Sequence, residues 1–228
     1  MTSGLRVAIK GLLLKGLWAP MLTVHHLNES RSQRVLWLLE ELALPYEIRH
    51  YDRDPQTRLA PDALKAVHPL GKSPVLTDGD RAIIETGAIV DYVIRRHGGG
   101  RLAPSPGGDD HEAYLQWLHY AEGSAMLPIL LNMYVARLKE AGAPLRPRID
   151  SEIANHLGFV EASLAGRAFF VGETLTGADI MMSFVAEAAR AQGRLDAYPA
   201  LSAWLDRMHQ RPAWKVALER GGPYALGR

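Results

Sequence analysis

Apolar and polar residues alternate in two short segments, 22–27 and 46–51, which predicts two β-strands. Between them, apolar residues recur at helical spacing and form one broad face before Pro45, which predicts a helix. The residues of that face are Val35, Leu36, Leu38, Leu39 and Leu42. A strand, a helix and a second strand in this order predict a parallel strand pair joined by a right-handed crossover.

The next forty residues continue this mixed α/β pattern. A short helix is predicted at 60–69, ended by Pro69, and a hairpin follows with its turn at Asp78–Asp80. Thr86 then begins an apolar-patterned helix that runs to a glycine triplet at 98–100. The predicted order is therefore β-α-β-α-β-β-α.

The Gly/Pro-rich segment 98–108 predicts a linker, and everything after it has helical periodicity. Helices are expected within 109–141, where Pro128 should kink or divide the helix, and at 148–164, 178–192, 200–210 and 213–219. Thr176 and Asp179 have the spacing of a capping box, which predicts the start of a central helix. We expect an α/β domain at 21–100, an all-helical domain at 109–228 and no strand pair after Gly108.

The composition of the chain excludes several kinds of chemical site. The 228 residues contain 26 basic and 25 acidic side chains, so the net charge of +1 predicts no binding to nucleic acid or to an anionic membrane. Cysteine is absent, which excludes disulfides, thiolate metal sites and a thiol nucleophile of the protein itself. The nine histidines form no metal-binding pattern; His25 and His26, for example, point to opposite faces of a strand. We assign no metal.

The first twenty residues are apolar and basic and contain no acid. Lys10 and Lys15 interrupt the apolar stretch, which makes a secretory leader a poor interpretation. We interpret 1–20 as an upstream extension rather than a targeting segment. No apolar run approaches the ~20 residues that a membrane span needs.

A polar cluster of Asn28, Ser30 and Ser32 stands where the first strand ends and the first helix begins. Helix capping needs only one of these side chains, so the others could bind a ligand. Ser32 lies in the first turn and is expected to be structural, satisfying a backbone donor. Ser30 is expected at or just before the N-cap, with its hydroxyl able to reach outward.

Two further segments have both a structural and a ligand-binding interpretation. Pro74 could be a plain strand-entry proline, which spacing alone favours, or it could follow a cis bond that presents the Val75 backbone to a peptide-like ligand. Thr86 is expected to cap its helix. The same helix N-terminus could bind a carboxylate while Glu85 takes an ammonium group, which would suit the zwitterionic end of an amino acid.

Five motifs, in this order and spacing, resemble the glutathione transferases over nearly the whole chain from Met21. They are SRSQRVLWLLEEL, HPLGKSPVL, ETGAIVDYV, FFVGETLTGADIMMS and YPALSAWLDRMHQRPAW. The resemblance is to the bacterial and fungal branch with a serine-type first motif and no catalytic cysteine. It implies a thioredoxin-like N-terminal domain, a helical-bundle C-terminal domain, a cytoplasmic homodimer that contacts through the exposed ends of the third and fourth helices, and a role in detoxification.

By position in these motifs, the resemblance implies that glutathione lies along the N-terminal domain. Ser73, a cis Pro74 and the Val75 backbone would hold its cysteinyl unit. Glu85 and Thr86 would hold its γ-glutamyl end, and Lys72 is a candidate for its glycyl carboxylate. An electrophile pocket between the domains would be lined by Tyr114, Trp117 and Tyr120, although a core role is the better interpretation of Trp117.

The thiol in this chemistry comes from glutathione, and the protein's task is to stabilise it as a thiolate that attacks a small, often hydrophobic electrophile. No tyrosine stands at the end of the first strand, so a tyrosine donor is not expected. Ser30 is the predicted thiol activator and Asn28 the runner-up. The alternatives are a glutathione-dependent isomerase or disulfide reductase, and a non-catalytic glutathione-binding protein on the same fold.

Overall fold

A computed structural model describes residues 22–227 of the chain. The interpretation of 1–20 as an extension, and the expected strand start at Met21, lie outside the described residues. Four strands form one mixed sheet in the order β2-β1-β3-β4: β1 (Leu22–Leu27), β2 (Tyr46–Tyr51), β3 (Val75–Asp78) and β4 (Arg81–Ile83). Strands β1 and β2 are parallel, as the crossover pattern predicts, whereas β3 is antiparallel to both β1 and β4.

Three helices accompany the sheet, α1 (Ser32–Glu41), α2 (Ala63–Val67) and α3 (Thr86–Arg96). Six more follow in the second half: α4 (Asp109–Tyr120), α5 (Met126–Ala136), α6 (Arg146–Ser163), α7 (Gly177–Ala191), α8 (Pro199–His209) and α9 (Pro212–Gly221). Short 3₁₀ turns lie at Lys139–Leu145 and Ala225–Gly227. Within 22–227 no strand follows Gly108, as expected. The fold is a thioredoxin-like domain followed by a helical domain.

The long helix expected across 109–141 is divided, just before its proline. A π-helical segment, Ala121–Ala125, separates α4 from α5. Pro128 is the third residue of α5, and no break separates α5 from the π-helical segment. A proline in a continuous helix has no N–H to donate, and its ring crowds the carbonyl four residues earlier, here that of Ser124. The helix is therefore divided about one turn before Pro128, as expected.

Helix α1 joins the two halves of the molecule because it packs on both. It contacts β1 and α3 in the first half and α7 and α9 in the second. Its apolar side chains from Val35 to Leu39 are fully buried. Helix α7 is buried along most of its length at the centre of the helical half, which confirms the predicted central helix.

The predicted capping box is present at the start of α7. The Thr176 hydroxyl accepts the Ala178 N–H at 3.2 Å, and the Asp179 carboxylate accepts the Thr176 N–H at 2.9 Å. The same buried carboxylate also accepts the Phe170 N–H and the Trp204 indole N–H. Asp179 therefore fixes α7, the preceding loop and α8 together.

We expect Asp179→Ala to destabilise the protein by ~3 kcal/mol or more, because several buried donors lose their acceptor at about 1–3 kcal/mol each. Thr176→Ala should cost about 1 kcal/mol, the usual effect of losing an N-cap. Denaturant unfolding followed by circular dichroism measures both. Thr174→Ala, an exposed position two residues before the cap, is the matched control. Equal stabilities of the Asp179 variant and this control would contradict the assignment.

Candidate functional site

A cavity of about 230 Å³ opens between the end of the sheet and the helical half. The residues around it come from the loop after β1, the loop before β3, the start of α3 and the π-helical segment. They are Arg31, His68, Leu70, Lys72, Ser73, Pro74, Ile84, Glu85, Thr86 and Glu122. Five of the eight predicted catalytic and glutathione-site residues therefore lie around one cavity: Lys72, Ser73, Pro74, Glu85 and Thr86.

Glu85 and Thr86 stand at the N-terminus of α3. The expectation that Thr86 caps this helix is wrong, because Glu85 occupies the N-cap position and no side chain caps the helix. Glu85 has a positive φ of 65°, a conformation that costs energy for a residue with a side chain and is found at ligand-binding sites. The uncapped N–H groups of α3 thus face the cavity together with a hydroxyl and a carboxylate, which suits a group carrying both a negative and a positive charge.

The Ser73–Pro74 peptide bond is cis. Sequence spacing alone favours the other interpretation, a plain strand-entry proline. Strand β3 begins at the next residue, Val75. Val75 pairs with His25 of β1, whereas the β3–β4 ladder among the described residues begins only at Leu76. Val75 therefore has no pairing residue on the β4 side.

Ser30 and Ser32 have the reverse of the roles expected of them. Ser30, not Ser32, accepts a backbone N–H, that of Ser32, at 3.2 Å. The Ser32 hydroxyl is fully buried and lies 2.8 Å from both the Ser30 hydroxyl and the Nδ1 atom of His26. Ser30 is only 6% exposed and is not among the residues that line the cavity. Its hydroxyl lies 3.5 Å from that of Ser73, which does line the cavity.

Asn28 lies on the other side of this loop. Its side-chain oxygen accepts the Arg53 N–H at 2.9 Å, and its backbone carbonyl accepts a hydrogen bond from the Arg53 guanidinium. Asn28 therefore ties the end of β1 to the segment after β2, and it is not among the residues that line the cavity.

An ion cluster closes the cavity on the side of the helical half. The Arg31 Nε–H donates to both carboxylate oxygens of Glu122, at 2.8 and 2.9 Å, and a second ion pair joins Arg34 to the same carboxylate. Arg34 is fully buried and also donates to the Met181 carbonyl at 2.8 Å. Both guanidinium groups lie over the Phe184 ring. The cluster thus connects α1, the π-helical segment and α7.

Burial alone would raise the pKa of Glu122, but the charges and hydrogen bonds of Arg34 and Arg31 outweigh it and hold the pKa below its usual value. Burial lowers the pKa of Arg34. The carboxylate is thus stabilised in its charged form by two arginines.

The three predicted pocket aromatics do not line this cavity. Tyr114 and Trp117 are buried in the core, which confirms the core interpretation of Trp117. A side chain at Gly177 would come within 2.8 Å of the Tyr114 hydroxyl, so α4 and α7 leave no space for a ligand there. Tyr120 is partly exposed, and its hydroxyl lies 2.7 Å from Nδ1 of His156. Its place in an electrophile pocket stays a prediction.

Sequence reasoning missed Arg31 and Glu122. Arg31 lies within the polar cluster at the start of the first helix, but only the serines and the asparagine of that cluster were interpreted as functional residues. Glu122 is separated from Arg31 by 91 positions, and a single charged residue in a helix usually faces solvent. The one local indication of a special role for Glu122 is its position next to Gly123, a glycine inside a helical pattern.

Among residues 22–227, no helix is long and apolar enough to cross a membrane. No group of three or more metal-ligating side chains was found in the same part of the chain.

Comparison with known proteins agrees with this architecture. The family model of the glutathione S-transferase N-terminal domain matches residues 24–101, and that of the C-terminal domain matches 122–212. Glutathione S-transferase 1 of Saccharomyces cerevisiae is 32% identical, over 88% of this chain and 95% of that protein.

Solved structures agree as well. A glutathione S-transferase from Actinobacillus pleuropneumoniae is 35% identical, with a TM-score of 0.83 over 91% of this chain and 96% of that one. A sphingomonad glutathione S-transferase, solved in complex with glutathione, is 25% identical, with a TM-score of 0.72 over 88% of this chain and 98% of that one. The fold and the cavity place the molecule among two-domain thioredoxin-like proteins. The chain belongs to the glutathione S-transferase family.

We expect Glu122→Gln to destabilise the protein by about 3 kcal/mol at neutral pH, because it leaves the buried Arg34 charge without its partner. Since the pKa of Glu122 is lower in the folded state, its contribution is complete above the unfolded-state pKa. That contribution is lost as the pH falls through the folded-state pKa, so the difference between wild type and variant should shrink in acid.

Denaturant titrations at neutral and acidic pH measure this difference. Glu219→Gln, an exposed acid on α9 with no ion pair among the described residues, is the control. A difference that stayed constant with pH would count against the cluster as the cause.

Proposed function

We propose that the protein binds glutathione in the cavity, stabilises its thiol as a thiolate and transfers it to small electrophiles. The single observation that carries the proposal is the convergence of Lys72, the Ser73–Pro74 segment and the Glu85–Thr86 helix start on one cavity, in a chain of the glutathione S-transferase family. The solved sphingomonad relative, which contains glutathione, supports this choice of ligand.

The two ends of glutathione require different chemistry. In this proposal the γ-glutamyl carboxylate accepts hydrogen bonds from the first N–H groups of α3 and from the Thr86 hydroxyl, where the helix dipole favours an anion. Its ammonium group pairs with Glu85, which is exposed and makes no ion pair within the described part of the chain. At the other end, the exposed Lys72 pairs with the glycyl carboxylate. The charges at the two ends then fix the direction of the peptide.

The cysteinyl unit lies between these ends. Its backbone pairs with that of Val75, on the β4 side where the described ladder supplies no partner, in the manner of an added strand. This pairing directs the sulfur towards the start of α1, where Ser30 and Asn28 are the activators predicted from sequence. Lowering the pKa of a thiol by one unit from about 8.5 requires only ~1.4 kcal/mol, which one charge-assisted hydrogen bond can supply.

The electrophile is expected beside this sulfur, between α1 and the segment that carries Glu122, with Tyr120 as the nearest aromatic candidate on α4. An aryl halide, an epoxide and an activated alkene each test addition of the thiolate. A glutathionyl mixed disulfide and an isomerisable double bond test the reductase and isomerase alternatives. Glutathione binding without turnover of any of these would favour the non-catalytic alternative.

We expect Glu85→Gln to weaken glutathione binding by roughly tenfold, because the ammonium group loses its counter-charge. The same substitution should leave the binding of a glutathione analogue without the α-amino group almost unchanged. Titration calorimetry of both ligands against wild type and variant measures the coupling between Glu85 and the ammonium group.

Asp80→Asn, an exposed acid in the β3–β4 turn, is the control. An equal loss for both ligands would show that Glu85 does not contact the ammonium group. Failure of the wild type to bind glutathione at all would overturn the proposed function itself.

We further propose that the protein acts in the cytoplasm as a homodimer. Four large apolar side chains of α5 are exposed in the single chain: Leu127, Leu131, Met133 and Tyr134. Such an exposed apolar surface is typical of an interface. The proposed contact therefore includes α5, next to the helix ends predicted from sequence.

Light scattering at micromolar concentration should give about twice the chain mass of 25.1 kDa. Leu131→Glu should shift the protein towards single chains, because a charge in the contact loses its hydration. Lys215→Glu, an exposed position on α9, should not change the mass. A wild-type mass near that of one chain would contradict the dimer.

A further inference from the structure

The hydroxyl groups near the start of α1 already have partners inside the protein. Burial, and then the charge of His50, lower the pKa of His26 to about 4, against the opposing effect of a hydrogen bond to the Gly221 backbone. His26 is therefore neutral near pH 7 and carries one ring proton. Its Nδ1 lies 2.8 Å from the Ser32 hydroxyl.

The Ser32 hydroxyl has two partners inside the protein, Nδ1 of His26 at 2.8 Å and the Leu27 carbonyl at 3.3 Å. The Ser30 hydroxyl lies 2.8 Å from that of Ser32 and accepts the Ser32 N–H at 3.2 Å. Ser30 is only 6% exposed and is not among the residues that line the cavity, so its hydroxyl is held inside the protein.

The neighbouring polar groups are equally committed or turned away. The Ser73 hydroxyl donates to the His25 carbonyl at 2.9 Å and accepts the Leu27 N–H at 3.1 Å. Asn28 holds the Arg53 backbone and is not among the residues around the cavity.

Arg31 has hydrogen-bond donors that are available to a ligand. Its Nε–H is bound to Glu122, and its two terminal amino groups make no hydrogen bond to any residue within 22–227. The Phe184 ring lies 4.8 Å from the guanidinium carbon and supports one face of the group. The anchored Nε and the ring hold the guanidinium at the cavity wall, so little conformational freedom would be lost on binding.

The ion cluster also has an unbalanced charge. Two guanidinium groups share the single carboxylate of Glu122, which leaves one positive charge. Arg34 is fully buried, whereas the Arg31 side chain is 30% exposed, so the excess charge is available to a ligand on the Arg31 side. Arg53 lies close enough to interact electrostatically with Arg31, and His68, Lys72 and Glu85 complete the titratable groups around the cavity.

From these contacts we propose that Arg31, rather than Ser30 or Asn28, donates the hydrogen bond that stabilises the glutathione thiolate. The inference rests on the proposed function and deepens it. The thiol proton leaves to water, and the sulfur keeps the electron pair of the broken S–H bond. Ser30 in this account is a positioning residue that orders the loop carrying Arg31.

The test is the ultraviolet absorbance of the thiolate as a function of pH, with glutathione bound. Arg31→Gln should raise the pKa of the bound thiol by about one unit. The rate at neutral pH should fall by roughly tenfold, and it should recover at alkaline pH, where the thiolate forms without help. Arg167→Gln, an exposed arginine away from the cavity, is the matched control.

Arg31→Lys separates this role from a purely structural one. A lysine ammonium can pair with Glu122 and preserve the fold, but its donors are then turned towards the carboxylate. Stability near that of wild type together with a raised thiol pKa would support the proposal. If Arg31→Lys and Arg31→Gln titrate like wild type, or if Ser30→Ala alone shifts the titration, the proposal is wrong. Absence of glutathione binding by the wild type would instead be a failure of the proposed function.

Discussion

The shared carboxylate of Glu122 is the interaction on which the geometry of the site depends. It holds two arginines, Arg31 at the N-cap of α1 and Arg34 in its first turn, and that helix packs on both halves of the molecule. A fully buried guanidinium is tolerable only when it is paired, so Arg34 keeps the π-helical segment in place. Arg31, the second arginine, is held at the cavity wall by the same bond. The stability of the fold and the shape of the cavity wall are thus coupled through one side chain.

Around this fixed wall, the cavity is lined by groups of opposite charge. An acid and an uncapped helix N-terminus come from the start of α3, and a lysine comes from the loop before β3. None of the three is tied to another described residue by an ion pair. The polar groups around the cavity are therefore available to a ligand, whereas structural polar groups such as Asp179 and the buried serines are engaged in the interior.

Much of the fold could be predicted from the sequence, because local pattern determines it. The strands, the hairpin turn and the Thr176–Asp179 cap follow from spacing over a few residues. The site was predicted only in part, for the same reason. Lys72, Glu85 and Thr86 belong to short motifs, whereas the partnership of Arg31 with Glu122 crosses 91 positions. The buried contact of Ser32 with His26 of the preceding strand likewise could not be predicted from local spacing.

The π-helical segment at Ala121–Ala125 places a constraint on chain length as well as on residue type. A π turn contains one residue more than an α turn, and each residue of an α-helix rotates the chain by about 100°. Removing one residue here would restore a regular helix and rotate everything on one side of the deletion relative to the other. Glu122 could then face the cavity, or α4 could pack on α7, but not both. We therefore infer that insertions and deletions are tolerated far less in this segment than in the glycine-rich connection that precedes α4.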